Sequence, residues 1–592
     1  MTRERIRALE SAASLPAAFL DVALRHPTRP AQWRRTPEGY APITYEHMRE
    51  RVCHVASGLL RAGVKPGDRV AILMENRPEW AVADYAILAI GGVTVPLYCS
   101  YRKQDIAWVL NDSGAKFAIT SGGKVARRLL DAAAGLPRLK AVYAIEEMAD
   151  GDKLRLFAEL EAGEVRVDEL HARLAEVTPE TLATLVYTSG TTGDPKGVML
   201  THGNIMANLA AIPEIYAFSA DDVMLSFLPL AHALERMASH FLPYSFGISV
   251  AFAERPDTVA RNMAEARPTI LIAVPRLLEV VRSRILGQVA KQSPLKQALF
   301  RRFLALGMRR GALRGLDAAI FRLLDRLVGQ KIRDRFGGRL RLLVSGGAAL
   351  PPEVARFFEA IGLPVLEGYG MTEAAPLISV NPVHDRRIGS VGKPVKNVEV
   401  RIAGDGEILA RGPNVMAGYW KRRKETKETI VDGWLHTGDI GRMDEDGYLY
   451  ITDRKKDILV NSGGENIAPQ RIEGLLATDE MIEQVVVYGD RKPYLVALVV
   501  PAREACEDWA KSEGLPDTPW EELATSGILR KRLQTRISKR LKGLAQHEQV
   551  RRIMLWPEPL TIEDGLLTPT LKIKRRKVYE RFGDELEALY GG

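Results

Sequence analysis

Between two apolar runs, Thr184-Leu185-Val186-Tyr187 and Gly197-Val198-Met199-Leu200, stand Thr188, Ser189, Gly190, Thr191, Thr192, Gly193, Asp194, Pro195 and Lys196. Glycines let backbone N–H groups close on anionic oxygens, hydroxyls donate further bonds, and a lysine adds a point charge. The segment therefore has the chemistry of a loop that holds a polyphosphate. Its flanks read as buried strands, which makes it a turn between strands. A P-loop needs Gly-Lys-Ser/Thr at the start of a helix. Here Pro195 precedes Lys196, Gly197 follows it and strand formers come next, so no helix N-terminus supplies the anion site. A mobile surface loop is the alternative, and eleven consecutive residues of this chemistry, Tyr187 to Gly197, argue against it.

The elements that position such a loop follow from the chain around it. With 592 residues and 46% hydrophobic content, the chain is too long for one core and calls for at least two domains. Short apolar runs at 70–73, 117–120 and 141–145, separated by helical stretches, predict an α/β fold with a largely parallel sheet between about 40 and 270. Leu340 to Ser345 reads as a strand that passes through Gly346-Gly347 into a helix near Pro351. A strand over Tyr448–Thr452 leads into the polar run Asp453-Arg454-Lys455-Lys456-Asp457, which reads as a linker to a small α+β domain. The expected division is 1–453 for a large multi-sheet N-terminal domain and 454–592 for a small mobile C-terminal one.

Targeting signals are not evident. The charged start Met1–Arg7 leads into no sustained apolar core, and the region Trp80–Tyr98 is broken by Asp84, Gly91, Gly92 and Pro96, so it reads as a buried helix and strand rather than a membrane span. Cys53, Cys99 and Cys506 lie far apart without metal spacing, and a reducing cytoplasm is the expected compartment. The net charge of +9 is uneven: residues 276–341 hold seventeen Lys or Arg against four acids, a net of +13, which leaves −4 for the rest. Leu, Ile, Phe and Ala recur there at helical spacing, which predicts amphipathic helices with a basic face. Two readings stay open, a solvated insertion and a surface that meets anionic lipid. Nucleic acid is not expected, because no recognition fold or aromatic platform accompanies the charge.

With these pieces assembled, the chain resembles the adenylate-forming superfamily and, within it, the AMP-forming long-chain fatty acyl-CoA synthetases. Six segments carry the resemblance in order: Tyr187–Gly197; Leu228–Arg236 (LPLAHALER); Glu367–Glu373 (EGYGMTE); Leu435–Asp439 (LHTGD); Asp453–Asp457 with Ser462–Ile467; and Leu567–Arg575 (LTPTLKIKR). The resemblance implies two steps. A fatty acid carboxylate attacks the α-phosphate of ATP to give acyl-adenylate and pyrophosphate, and the thiol of coenzyme A then displaces AMP. Both nucleophiles belong to substrates, so the protein needs no nucleophile of its own and must position reactants and neutralise charge.

Roles for individual residues come from the same resemblance. Thr188 and Glu373 match magnesium ligands, and hard oxygen groups suit that ion; read alone, Glu373 is equally a surface carboxylate. Ser189, Gly190, Thr191, Thr192, Gly193 and Lys196 hold the phosphates. Gly347 and Ala348 offer a flat adenine slot with Tyr369 on its other face, in a segment where Glu367, Gly368 and Gly370 complete the nucleotide contacts and Thr372 meets the α-phosphate. Asp439 accepts from the ribose diol and Arg454 is the second ribose contact; a turn-capping Asp439 is the alternative. Lys572 bridges carboxylate and α-phosphate, with Lys574 the competing register. Lys456 is the hinge, Gly463 and Gly464 face the thiol of coenzyme A after domain rotation, and His232 lies between nucleotide and acyl sites. Two other functions stay open: an adenylating ligase that loads a separate carrier protein or acts on a non-fatty acid, and a nucleotide-binding regulator without catalysis.

Overall fold

The computed structural model describes residues 12–148, 153–188, 195–515, 518–568 and 572–591. Two large sheets build the N-terminal domain. In the eight-stranded one, the strands Val93–Pro96, Arg69–Leu73, Phe117–Thr120 and Ala141–Ala144 run parallel, while Leu182–Thr188 and Lys196–Thr201 form an antiparallel pair at one side. The nine-stranded sheet is parallel through Ser249–Phe252, Val223–Ser226, Ile270–Ala273, Leu342–Ser345 and Val365–Gly370. Its edges are antiparallel.

One apolar core lies between these sheets, and the helix Pro78–Ala89 runs through it. Pro78 opens that helix with a preset φ, and all twelve residues are buried, as a helix that is apolar on every side requires. Asp84 is its internal exception. A third sheet joins Glu399–Ile402, Glu407–Arg411, Trp434–Met443 and Leu449–Arg454. The last of these strands runs through Asp453 and Arg454, two residues expected in a linker, because Arg454 stands opposite Asp439 and their charges favour the pairing.

The basic segment enters between two neighbouring parallel strands, Ile270–Ala273 and Leu342–Ser345. It forms the helices Pro275–Ala290, Pro294–Gly307 and Gly315–Leu324, and its Phe300, Phe303, Phe321 and Leu324 are buried. Gly307 lets this insertion sit tight on the helix Pro352–Ala360: a Cβ there would lie 2.2 Å from the Ala360 carbonyl oxygen.

The C-terminal domain is a three-stranded sheet, Ile482–Tyr488, Leu495–Pro501 and Val550–Leu555, with separate apolar clusters on its two faces. Pro469–Leu476 and Gly527–Leu541 contribute to one face, Arg575–Ala588 to the other. Ion pairs Arg540–Glu353 (3.6 Å) and Lys291–Asp508 (3.8 Å) tie it to the N-terminal domain. Among the described residues, no helix is long and apolar enough to cross a membrane.

Candidate active site

Two clusters assemble from segments far apart in sequence. In the first, register across the antiparallel pair sets Thr188 directly opposite Lys196. Lys196 lies over the ring of Tyr419, its Nζ 5.2 Å from the ring centre, and the Tyr419 hydroxyl donates to Glu373 Oε1 at 2.8 Å. Glu373 is buried in the short 3-10 turn Thr372–Ala374, with Thr372 half-buried beside it. Ser189, Gly190, Thr191, Thr192 and Gly193 lie outside the described residues.

The second cluster surrounds Asp439 in the strand Trp434–Met443. Its Oδ2 accepts from the Tyr369 hydroxyl at 2.6 Å, and its Oδ1 lies 3.1 Å from Arg454 Nε. Tyr369 is a buried member of the main core as well as a site residue. Burial first, and the Asp439 carboxylate second, hold its phenol well above the ordinary range. Gly346 separates Leu234 from the Gly368 carbonyl, and a Cβ added there would come within 3.3 Å of Leu234. Gly347, at φ +85°, and Ala348 are exposed, and a Cβ on Gly347 would meet open space, so this edge presents bare backbone. Gly370 has no such room: a Cβ would sit 1.8 Å from the Pro376 carbonyl oxygen. Glu367, on the same strand, receives the Gly389 N–H at 3.2 Å, and burial pushes its carboxyl up to about 7.

Lys572 reaches this cluster from the C-terminal domain. Thr568 N–H donates to the Lys572 carbonyl at 2.8 Å and Lys572 N–H to Thr568 Oγ1 at 3.0 Å, which fixes the backbone that carries the side chain. Its electrostatic neighbours are Arg454, Asp439 and His232, whereas those of Lys574 are Arg102, Asp105 and Lys577. The Lys572 side chain stays open to solvent in a crevice walled by protein. Desolvation by those walls, then the Arg454 charge, bring its ammonium down to about 8. His232 caps the helix Ala233–Arg236, its Nδ1 accepting the Leu234 N–H at 3.3 Å, which leaves the ring proton on Nε2. Burial and the Lys572 charge bring it down to about 4, so it is neutral at pH 7.

Beneath His232 a buried network fixes its helix. Arg236 donates to Asp84 through Nη2 (2.6 Å) and Nε (3.0 Å) and to Thr184 Oγ1 (2.7 Å). Asp84 also accepts from Thr94 (2.7 Å) and pairs with His240 (2.8 Å). Burial opposes ionisation of Asp84, yet the Arg236 charge and these hydrogen bonds hold its carboxyl well below the usual range.

Gly463, Gly464 and Lys456 are not brought to either cluster. Gly463 N–H bonds to Asn461 Oδ1 and Gly464 N–H to the Asn461 carbonyl, in an exposed turn whose Ser462 N–H reaches Lys492 of the same domain. Lys456 is exposed in the turn that the Asp457 N–H closes on the Arg454 carbonyl at 2.9 Å. Just before it, Lys455 is clipped to the N-terminal domain through Asp405 (2.6 Å) and Glu407 (3.0 Å); just after it, Asp457 accepts from Gln470 at 3.2 Å. Sequence reasoning misses Tyr419, whose Gly-Tyr-Trp setting carries no site signal. It also misses the Asp84–Arg236 pair, for which an acid inside an apolar run was the available clue.

Two facing sheets, a smaller second domain and a lysine carried from it toward Asp439 and Arg454 make up the arrangement. The AMP-binding enzyme model matches residues 19–420 and the AMP-binding enzyme C-terminal domain model matches 456–592. The chain belongs to the AMP-binding enzyme family. It is 35% identical to the long-chain-fatty-acid–CoA ligase FadD15 of Mycobacterium bovis, over 93% of this chain and 92% of that one. It is also 34% identical to the long-chain-fatty-acid–CoA ligase 5 of Rattus norvegicus, over 94% and 85%. Among solved structures, the adenylation domain of a carboxylate reductase from Mycobacterium chelonae shares the fold, with a TM-score of 0.79 at 24% identity over 100% of this chain and 93% of that one.

Proposed function

We propose that this enzyme activates a long-chain fatty acid with ATP and passes the acyl group to coenzyme A, releasing pyrophosphate and AMP. The observation that carries the reading is Lys572 in the crevice beside Arg454, Asp439 and His232, where a cation offsets charge building on carboxylate and α-phosphate. The names of relatives about 35% identical over most of the chain supply the substrate class. Asp439 and Arg454 hold the ribose, and the bare edge at Gly347-Ala348 admits the adenine against Tyr369. Glu373 and Thr188 offer hard oxygen donors beside the Lys196 charge, a set that fits the magnesium carried by ATP. When bound, that ion neutralises phosphate charge. His232, uncharged and carrying its proton on Nε2, adds no competing cation to the carboxylate's approach.

The test is AMP release from ATP over carboxylates of rising chain length, with and without coenzyme A. Turnover that depends on coenzyme A and rises with chain length is expected. Preference for aryl or short acids, or acyl-adenylate that never reaches coenzyme A, would sink the reading.

Domain rotation is assigned to Lys456, which lies between Lys455, paired to Asp405 and Glu407 of the N-terminal domain, and Asp457, which accepts from Gln470 of the C-terminal one. Proline at 456 fixes φ and restricts the residue before it. The Lys456→Pro enzyme is expected to lose thioester formation far more than adenylation, measured as separate half-reactions. Equal losses remove Lys456 from the pivot.

A further inference from the structure

We propose that the surface of the basic insertion between residues 295 and 327 docks the enzyme on anionic lipid bilayers. Six of the eleven exposed large apolar side chains among the described residues fall in this stretch, and they carry the argument. On the helix Gly315–Leu324 and the π-turn after it, Leu316, Leu323 and Leu327 are 76%, 59% and 50% exposed. Their spacing of seven and four places them on one stripe of the helix, while Phe321 and Leu324 face inward. The amphipathic pattern that usually buries its apolar side here has two apolar sides, one in the core and one in water.

Charge states what covers the outer one. Arg322 and Arg326 flank the stripe, and Arg301 and Arg309 lie on and just beyond the neighbouring helix Pro294–Gly307. All four are exposed, and among the described residues no carboxylate pairs with them. A protein partner with matching acids and a second copy of this chain are both conceivable covers for leucines. A second copy would set this net-positive surface against itself, with eight Lys or Arg against two Asp between residues 295 and 327, which like charge disfavours. An anionic bilayer satisfies both features at once: leucines enter the headgroup boundary and arginines meet lipid phosphates. The insertion is seated firmly enough to orient the enzyme, since Gly307 packs on Ala360 and the Phe303 and Phe321 rings stack at 5.8 Å. Its first helix, Pro275–Ala290, leaves the sheet edge where Gly346 N–H bonds to the Ala273 carbonyl. That helix is about 24 Å long at 1.5 Å per residue.

The test is sedimentation of the full chain with vesicles of phosphatidylcholine alone and of phosphatidylcholine with phosphatidylglycerol, at low and high salt. The parent is expected to bind only the anionic vesicles and to release with salt. Joint replacement Arg301→Glu, Arg309→Glu, Arg322→Glu and Arg326→Glu is expected to weaken binding at least about tenfold. Joint replacement Leu316→Gln, Leu323→Gln and Leu327→Gln is expected to do likewise through lost apolar insertion, at least about tenfold. Both variants should keep the parent's unfolding temperature and its turnover of a short water-soluble acid. Equal binding to neutral vesicles, or parent-like binding by either variant, overturns the proposal. So does self-association that the leucine replacements abolish in a protein that ignores vesicles.

Discussion

Lys572→Ala is expected to lower acyl-adenylate formation by about 10² to 10³-fold, the effect of removing one preorganised charge from the transition state. Thioester formation from supplied acyl-adenylate should change little, since Lys572 is placed for the first step only. Lys574→Ala should leave both half-reactions near the parent, because its electrostatic neighbours are Arg102, Asp105 and Lys577 rather than Asp439. Burst measurement of pyrophosphate, with a separate assay of the second half-reaction, decides between these outcomes. If both halves fall together, the state-specific role is wrong.

A pH dependence follows from the same residue. Its ammonium is brought down to about 8 by desolvation from the surrounding protein and by Arg454, so the charged form is present below that pH and is lost above it. For adenylation, kcat/KM should therefore fall as pH rises through about 8. Bound ATP adds negative charge that favours the ammonium, so the fall in kcat should come at higher pH. The Lys572→Ala enzyme should lack that limb altogether.

Arg236→Met should destabilise the N-terminal domain by about 3–5 kcal/mol, because it leaves the Asp84 carboxylate buried without its cation. Urea unfolding followed by tryptophan emission reads this directly, with Trp80 beside the Arg236 guanidinium as a local reporter. Adding Asp84→Leu to Arg236→Met should recover part of the loss, since removing both charges ends the uncompensated burial. A loss below about 1 kcal/mol would show that the pair behaves like a surface ion pair. Because Arg236 ends the helix that His232 caps, residual activity in the single variant should fall further than stability alone explains.

Elements confined to one stretch of chain were legible without coordinates. The Thr188–Lys196 turn, the strand-to-helix passage through Gly346-Gly347 and the glycine-flanked Tyr369 announce themselves by composition and spacing. What remained hidden depends on register and docking between distant segments. Tyr419 meets Glu373 because Gly418-Tyr419 adds to the edge of the strand Lys196–Thr201, a pairing that no local pattern encodes. The different surroundings of Lys572 and Lys574 depend on how their segment docks against the other domain, which no local pattern encodes. Helical spacing in the basic segment does not tell which apolar residues are buried, and only the packed structure shows Leu316, Leu323 and Leu327 in water. Gly463 and Gly464 were legible as turn glycines, but the domain's present orientation gives them no partner from the site.

The clip at Lys455 bears on the order in which products leave. Arg454 belongs to the last strand before that clip, and Asp439 to the strand beside it, so both stand on the N-terminal side of the proposed pivot. Lys572 stands on the C-terminal side. If the pivot lies at Lys456, as proposed, rotation would withdraw the lysine's charge from the α-phosphate while the proposed ribose grip stays closed. Pyrophosphate would then depart early, and AMP would remain anchored as a handle on the acyl group until the thiol had taken it, which would keep the reactive mixed anhydride from escaping into water.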